Sequence, residues 1–176
     1  MSSHSSALRV EREEIAVETP DNNREPSLSL KLGRMIERMH RRYLDLIRIE
    51  LQRLGVEEIN PVQALMVLHI GDDEMSVREL MERGHYIGNN ASYNLKSLTE
   101  QGYLDRSCAV HDRRAARIKL SERGKNLRAK LICVEQRHME AMFPGTDELM
   151  TTYRTLRRLE RSWSERIRNE IYDDYL

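Results

Sequence analysis

Aromatic side chains are scarce in this 176-residue chain, which has one Trp, one Phe and seven Tyr. A core must therefore be assembled mainly from Leu, Ile, Val and Met, and such a core favours helices. Glycine and proline number only 8 and 4, too few for a turn-dense all-β sandwich or a glycine-rich nucleotide-binding architecture. No phosphate-cradling glycine loop occurs. With two cysteines, Cys108 and Cys133, no disulfide framework is needed. The longest apolar run, Ala64-Leu65-Met66-Val67-Leu68, is far short of the ~20 residues that cross a bilayer. No cationic-then-apolar leader opens the chain either, so a soluble cytoplasmic protein without a membrane partner is expected. Net charge is also lacking, with 29 Lys and Arg against 29 Asp and Glu.

That balance conceals an uneven distribution. Residues 84–130 hold ten Lys and Arg against four Asp and Glu, a surplus of six positive charges. The compensating acid lies in the first 26 residues, at Glu11, Glu13, Glu14, Glu18, Asp21 and Glu25, and at the end, at Asp173 and Asp174. Whole-chain charge averages over regions that never meet a ligand, and a basic middle segment is the footprint of a nucleic-acid partner.

Residues 1–26, rich in Ser and charge, predict a flexible tail. From Ser27 the chain is helical in pattern: Leu28, Leu32, Met35, Ile36, Met39, Tyr43, Ile47, Leu51 and Leu54 recur at three- and four-residue steps until Gly55. Asn60-Pro61 is a helix start, opening a short buried helix over Val62–Ile70 that Gly71 stops. Ser76-Val77-Arg78-Glu79 is a capping box opening a third helix to about Arg83, with Gly84 or its neighbours turning the chain. A fourth helix runs from about Gly88 to Gln101 on the spacing of Ala91, Leu95 and Leu98, closed by Gly102. The period then switches to two over 103–108 and 115–120, predicting a hairpin around His111-Asp112-Arg113-Arg114. Leu127, Leu131, Val134 and Met142 resume the helical period, and after Pro144-Gly145 a last long helix carries Leu149, Tyr153, Leu156, Leu159, Trp163, Ile167 and Ile171.

Two short helices joined by a glycine-bearing turn and followed by a basic hairpin make a winged helix-turn-helix. The predicted fold class is mainly α (α+β), with long N- and C-terminal dimerisation helices. Four regions follow: a tail at 1–26, an N-terminal dimerisation helix at 27–58, a winged-helix DNA-binding domain at 59–124, and C-terminal dimerisation helices at 125–176. The fourth helix suits the DNA major groove and is expected to present Asn89, Asn90, Ser92, Tyr93, Asn94, Lys96 and Ser97, amides, hydroxyls and an amine that bond base edges and phosphates. At the wing, Arg113 and Arg114 supply charge, Asp112 orients an arginine, and His111 shares the tip; Ser76 and Arg78 are further phosphate candidates.

The stretch Asp112-Arg113-Arg114-Ala115-Ala116-Arg117-Ile118-Lys119-Leu120-Ser121-Glu122-Arg123-Gly124 resembles the wing signature of MarR-family transcription regulators, and Gln101-Gly102-Tyr103-Leu104-Asp105-Arg106 is similar to that family's recognition-helix exit. The match covers roughly residues 28–170. Gly88-Asn89-Asn90-Ala91-Ser92-Tyr93-Asn94 departs from the commoner Ser/Thr-x-x-Ser-Arg pattern and is most similar to the LdtR-like subgroup. The resemblance implies a homodimer on an inverted repeat of double-stranded DNA, acting as a repressor rather than an activator and tuned by a small amphipathic effector. It places such an effector near Met35, Met39, His40, Tyr43, Met66 and His69, for which core packing is the competing account. The dimer has independent support: a winged helix of about 65 residues cannot cover two long apolar stripes at opposite ends of the chain.

Other chemistries are weaker. No nucleophile–base pair or carboxylate dyad stands at catalytic spacing, so no enzyme and no catalytic residue is expected. Six histidines, His4, His40, His69, His85, His111 and His138, are scattered without ligand spacing, and neither metal nor cofactor is expected. Two alternatives to an effector-responsive regulator stand: a redox sensor acting through Cys108, and a winged-helix protein-interaction scaffold with no DNA role.

Overall fold

The computed structural model describes residues 27–86, 88–108, 116–143 and 145–173; the side chains of Asn89, Ser107, Cys108, Ala116 and residues 171–173 lie outside that description, as does the tail expected at 1–26. Two compact units divide the chain, residues 1–40 and 41–176. In order, the elements are α1 (Leu28–Arg53), α2 (Pro61–Ile70), β1 (Met75–Ser76), α3 (Val77–Gly84), α4 (Gly88–Glu100), β2 (Leu104–Cys108), β3 (Ala116–Leu120), α5 (Glu122–Met142) and α6 (Thr146–Asp173). This is the expected order with one strand added.

Local chemistry sets the helix boundaries. Asn60 caps α2, and its side chain accepts from the Gln63 N–H at 2.9 Å while Gln63 Oε1 accepts from the Asn60 N–H at 2.8 Å. The same reciprocal box opens α3, with Ser76 Oγ accepting from Glu79 N–H at 3.1 Å and the Glu79 carboxylate from Ser76 N–H at 2.6 Å. Gly71 and Gly102 leave α2 and α4 at φ +75°, a region that costs a side chain heavily. The turn expected at Gly84 or its neighbours is made by the neighbour. Gly84 remains helical, and His85 takes the left-handed conformation at φ 51°.

Gly124 has a different reason for being glycine. It lies in the first turn of α5, where glycine costs a helix about 1 kcal/mol relative to alanine. A Cβ there would collide with the Tyr103 carbonyl oxygen and come within 3.1 Å of Leu120 Cδ2. The glycine lets the start of α5 close onto the exit of α4.

The sheet has three antiparallel strands, ordered β1-β3-β2, rather than the two of the predicted hairpin. Met75 pairs with Ile118 and Ser76 with Arg117, while on the other edge Leu104 pairs with Leu120 and Arg106 with Ile118. Met75, Leu104, Ile118 and Leu120 are buried and join Ala64, Met66, Val67, Leu80, Leu95, Leu98 and Leu131 in one core. Each fully buried Leu, Ile, Val or Met among them contributes roughly 1.5–3 kcal/mol. A buried carboxylate, Glu50 of α1, meets Arg53 Nη1 of its own helix at 2.6 Å and reaches α5 through His138 Nε2 at 3.4 Å.

In the first unit the described part of α1 leaves Leu28, Leu30, Leu32, Met35 and Met39 exposed. Within the second unit, α6 exposes Leu149, Tyr153, Leu156, Trp163 and Ile167 at helical spacing. Among the described residues no helix is long and apolar enough to cross a membrane.

Candidate nucleic-acid interface

One face of α4 is fixed by the core and the other is open. Ala91, Leu95 and Leu98 are buried, whereas Asn90, Ser92 and Lys96 are exposed and Tyr93 is 72% exposed. Asn94 does not belong to the open face as expected from its chemistry. Only 9% of it is accessible, because at 100° per residue position 94 falls beside 91, 95 and 98 on the inward stripe. Lys96 leans toward Glu100 at 3.7 Å, a solvated pair that leaves the amine accessible.

Beside this helix, Ser76 is half-buried and spends its hydroxyl on capping α3, while Arg78 is strongly exposed and paired along the helix with Glu82 at 2.9 Å. The wing tip, His111, Asp112, Arg113 and Arg114, lies outside the described residues. At its root, Arg106 and Lys119 are exposed. Arg117 is held by Glu74 at 3.2 Å and Arg128 bonds both oxygens of Asp72 at 3.0 Å. Lys125 pairs with Glu122 at 2.8 Å, and Arg123 pairs with Glu58. With Lys96, five of the ten cations in the basic segment thus face internal carboxylates. Of the other five, Arg106 and Lys119 are exposed at the root of the wing and Lys130 on α5, and Arg113 and Arg114 lie outside the described residues.

The exit of α4 is clasped from outside. The Tyr103 hydroxyl donates to Glu58 Oε1 at 2.6 Å, Arg123 bonds the same oxygen, and Arg123 Nη1 donates to the Gln101 carbonyl at 2.8 Å. The Tyr103 hydrogen bond, with backbone N–H donors and the nearby guanidinium adding to it, holds the Glu58 carboxyl below the usual range. Burial, reinforced by Glu58, pushes the Tyr103 hydroxyl up to about 12.

A second polar cluster links α1, α2, α5 and the turn after α3. The half-buried Tyr43 hydroxyl donates to Glu135 of α5, and burial followed by that carboxylate raises the phenol far above its ordinary range. His69 Nδ1 and the Tyr86 hydroxyl share a hydrogen bond of 2.9 Å. Burial, then the neighbouring Arg83, keeps His69 below its ordinary value. Of the six residues expected around an effector, Tyr43 and His69 are in this cluster, and Met35, Met39 and His40 are exposed on α1 in the first unit. Met66 is corrected to a core residue, fully buried among the aliphatic side chains. Glu135 and Tyr86 carry no sequence signal for this setting, since the Tyr43–Glu135 bond spans 92 positions. A cavity of about 290 Å³ opens elsewhere, between the end of α1 and the start of α2, beside Arg48, Leu51, Glu57 and Ile59. Among the described residues no cluster of three His, Cys, Asp or Glu could hold a metal, and Cys133 is a free, exposed thiol.

Residues 59–124 match the family described as Winged helix DNA-binding domain. Over 162 residues the chain is 43% identical to the exopolysaccharide II synthesis transcriptional activator ExpG of Rhizobium meliloti, covering 88% of this chain and 84% of that one. The fold resembles that of Streptococcus pneumoniae FabT in complex with DNA, with TM-score 0.67 and 14% identity over 78% of this chain and 98% of FabT. It also resembles Staphylococcus aureus MarR in complex with salicylate and kanamycin, with TM-score 0.66 and 19% identity over 78% and 93% of the two chains.

Proposed function

Given that this chain belongs to the winged-helix DNA-binding transcription regulators of the MarR type, we propose that it works as a cytoplasmic homodimer reading an inverted repeat. In this reading α4 enters the major groove with Asn90, Ser92, Tyr93 and Lys96, and the wing residues His111, Asp112, Arg113 and Arg114, with Arg78 at the supporting helix, hold the backbone. The observation that carries it is the two-sidedness of α4: one stripe anchored in the core, the other offering an amide, a hydroxyl, a phenol and an amine to the outside. Fluorescence anisotropy on duplexes selected by the protein from a randomised pool, across a salt series, tests it. Binding that weakens steeply with salt and discriminates the selected duplex is expected; equal binding to all duplexes would refute base reading by α4.

The dimer rests on the uncovered stripes of α1 and α6. Six large apolar side chains on each are left open to solvent, and contiguous exposed apolar surface marks an interaction face. A second copy covers the same stripe by symmetry and sets two reading helices about one DNA turn, ~34 Å, apart. Light scattering on the wild type and on a Trp163→Glu, Ile167→Glu variant decides this; the wild type should be dimeric and the variant monomeric.

Repression is the expected mode, by occlusion of the promoter. The ExpG relative is named an activator, and that carries activation as a second reading. Transcription in vitro from the promoter that the protein footprints separates the two. The polar cluster of Tyr43, His69 and Glu135 is the seat proposed for a small amphipathic effector, with salicylate as the probe in calorimetry.

A further inference from the structure

Tyr86 has an unusual number of ties for a residue in a short turn. It lies between the end of α3 and the start of α4, and its N–H donates to the Met81 carbonyl at 3.0 Å while His85 just before it is left-handed. Its ring packs so closely on Gly84 that a Cβ on residue 84 would collide with the ring atom Cε2 and stand 2.6 Å from Cδ2. Its hydroxyl reaches across to α2 and bonds His69 Nδ1 at 2.9 Å, the two rings tilted by 57°. His69 also receives Arg83 Nη1 on its backbone carbonyl at 2.9 Å. One residue near the end of α2 therefore fastens both the last turn of α3, through its carbonyl, and the following turn, through its ring.

This arrangement accounts for a glycine at 84 that stays helical while His85 takes the left-handed turn. A glycine at the last helical position leaves room for the ring, and the left-handed residue after it carries Tyr86 back over Gly84. The turn is thereby pinned on its inner side two residues before Gly88, where α4 begins.

We propose that Tyr86 is a positioning residue for base recognition: latched to His69 across Gly84, it fixes where the first turn of α4 starts and hence how its outer face meets the bases. Tyr86 itself touches no base. It acts through the backbone of α4, so its loss should blunt discrimination between duplexes while leaving the backbone contacts of Arg78 and the wing in place. The inference rests on the reading of α4 as the base-reading helix.

The test uses the full-length protein, the selected duplex and a scrambled duplex of equal length. Tyr86→Phe keeps the ring on Gly84 and removes only the latch. It should weaken binding to the selected duplex by about three- to tenfold, the effect of removing one hydrogen bond, and leave the scrambled duplex within twofold. His69→Gln should do the same, and the double variant should be no worse than either single one, because both remove one interaction. Hydrogen exchange should quicken at the first amides of α4 and not in α5. If wild type fails to distinguish the duplexes, base reading by α4 fails, and this inference with it. If wild type distinguishes them and Tyr86→Phe distinguishes them equally well, or the two single effects add, the latch alone is refuted. A parallel loss on both duplexes with a lowered melting temperature would likewise refute it, as a purely structural role.

Discussion

The guanidinium of Arg123 lies 4.4 Å from the centroid of the Tyr103 ring, and the two side chains meet on one oxygen of Glu58. Three segments far apart in sequence, the loop before α2, the exit of α4 and the start of α5, converge on that carboxylate. The cluster is partly solvated, so its value is modest, roughly 1 kcal/mol.

Its pH dependence follows from Glu58. The carboxyl sits below its unfolded value, so its contribution is complete above the ordinary carboxylate range and is lost as pH falls through the depressed folded value. Glu58→Gln should lower the urea midpoint at pH 7 and narrow the difference from wild type at pH 3. A gap that stays constant across that range would contradict the assignment.

Gly124→Ala reverses the usual sign of a glycine-to-alanine change in a helix. Ordinary helix propensity would gain about 1 kcal/mol. The collision of the new methyl group with the Tyr103 carbonyl should instead cost about 1–3 kcal/mol, read as a lower urea midpoint with an unchanged slope.

His69 supplies a second pH signature, of the opposite kind to a salt-bridged histidine. Burial holds it below its ordinary value of 6.5, so as pH falls the unfolded chain takes up the proton first and the folded state loses ground. Around the ring stand Arg83 from α3, Glu135 from α5 and Tyr86 from the turn. The melting temperature of wild type should fall more between pH 7.5 and 5.5 than that of His69→Gln.

The wing arginines are tested by salt. Arg113→Ala together with Arg114→Ala should weaken binding to every duplex and reduce the slope of log affinity against log salt by roughly 0.9 for each phosphate that is no longer neutralised. Wild-type slope and affinity in the double variant would remove the wing from the interface.

Much of this architecture is visible in the amino-acid order because its boundaries are chemical. Asn60-Pro61 and Ser76-x-x-Glu79 announce α2 and α3, and the observed caps use those atoms. The third strand is not visible: Met75-Ser76 is two residues long, too short for any period, and becomes a strand only by pairing with Ile118 and Arg117. Asn94 sends two opposed signals, for its spacing from Ala91 and Leu98 places it inward while its polarity points outward, and the spacing prevails. Tyr43–Glu135 and Glu50–His138 are long-range meetings, and no local pattern encodes them.

Ser76 is the last residue of β1 and the cap of α3, and it stands opposite Arg117 in the strand that descends from the wing. Strand β3 and helix α3 are therefore geared through a shared tooth. A displacement of β3 has to carry the first turn of α3 with it, so strand and helix shift as one piece.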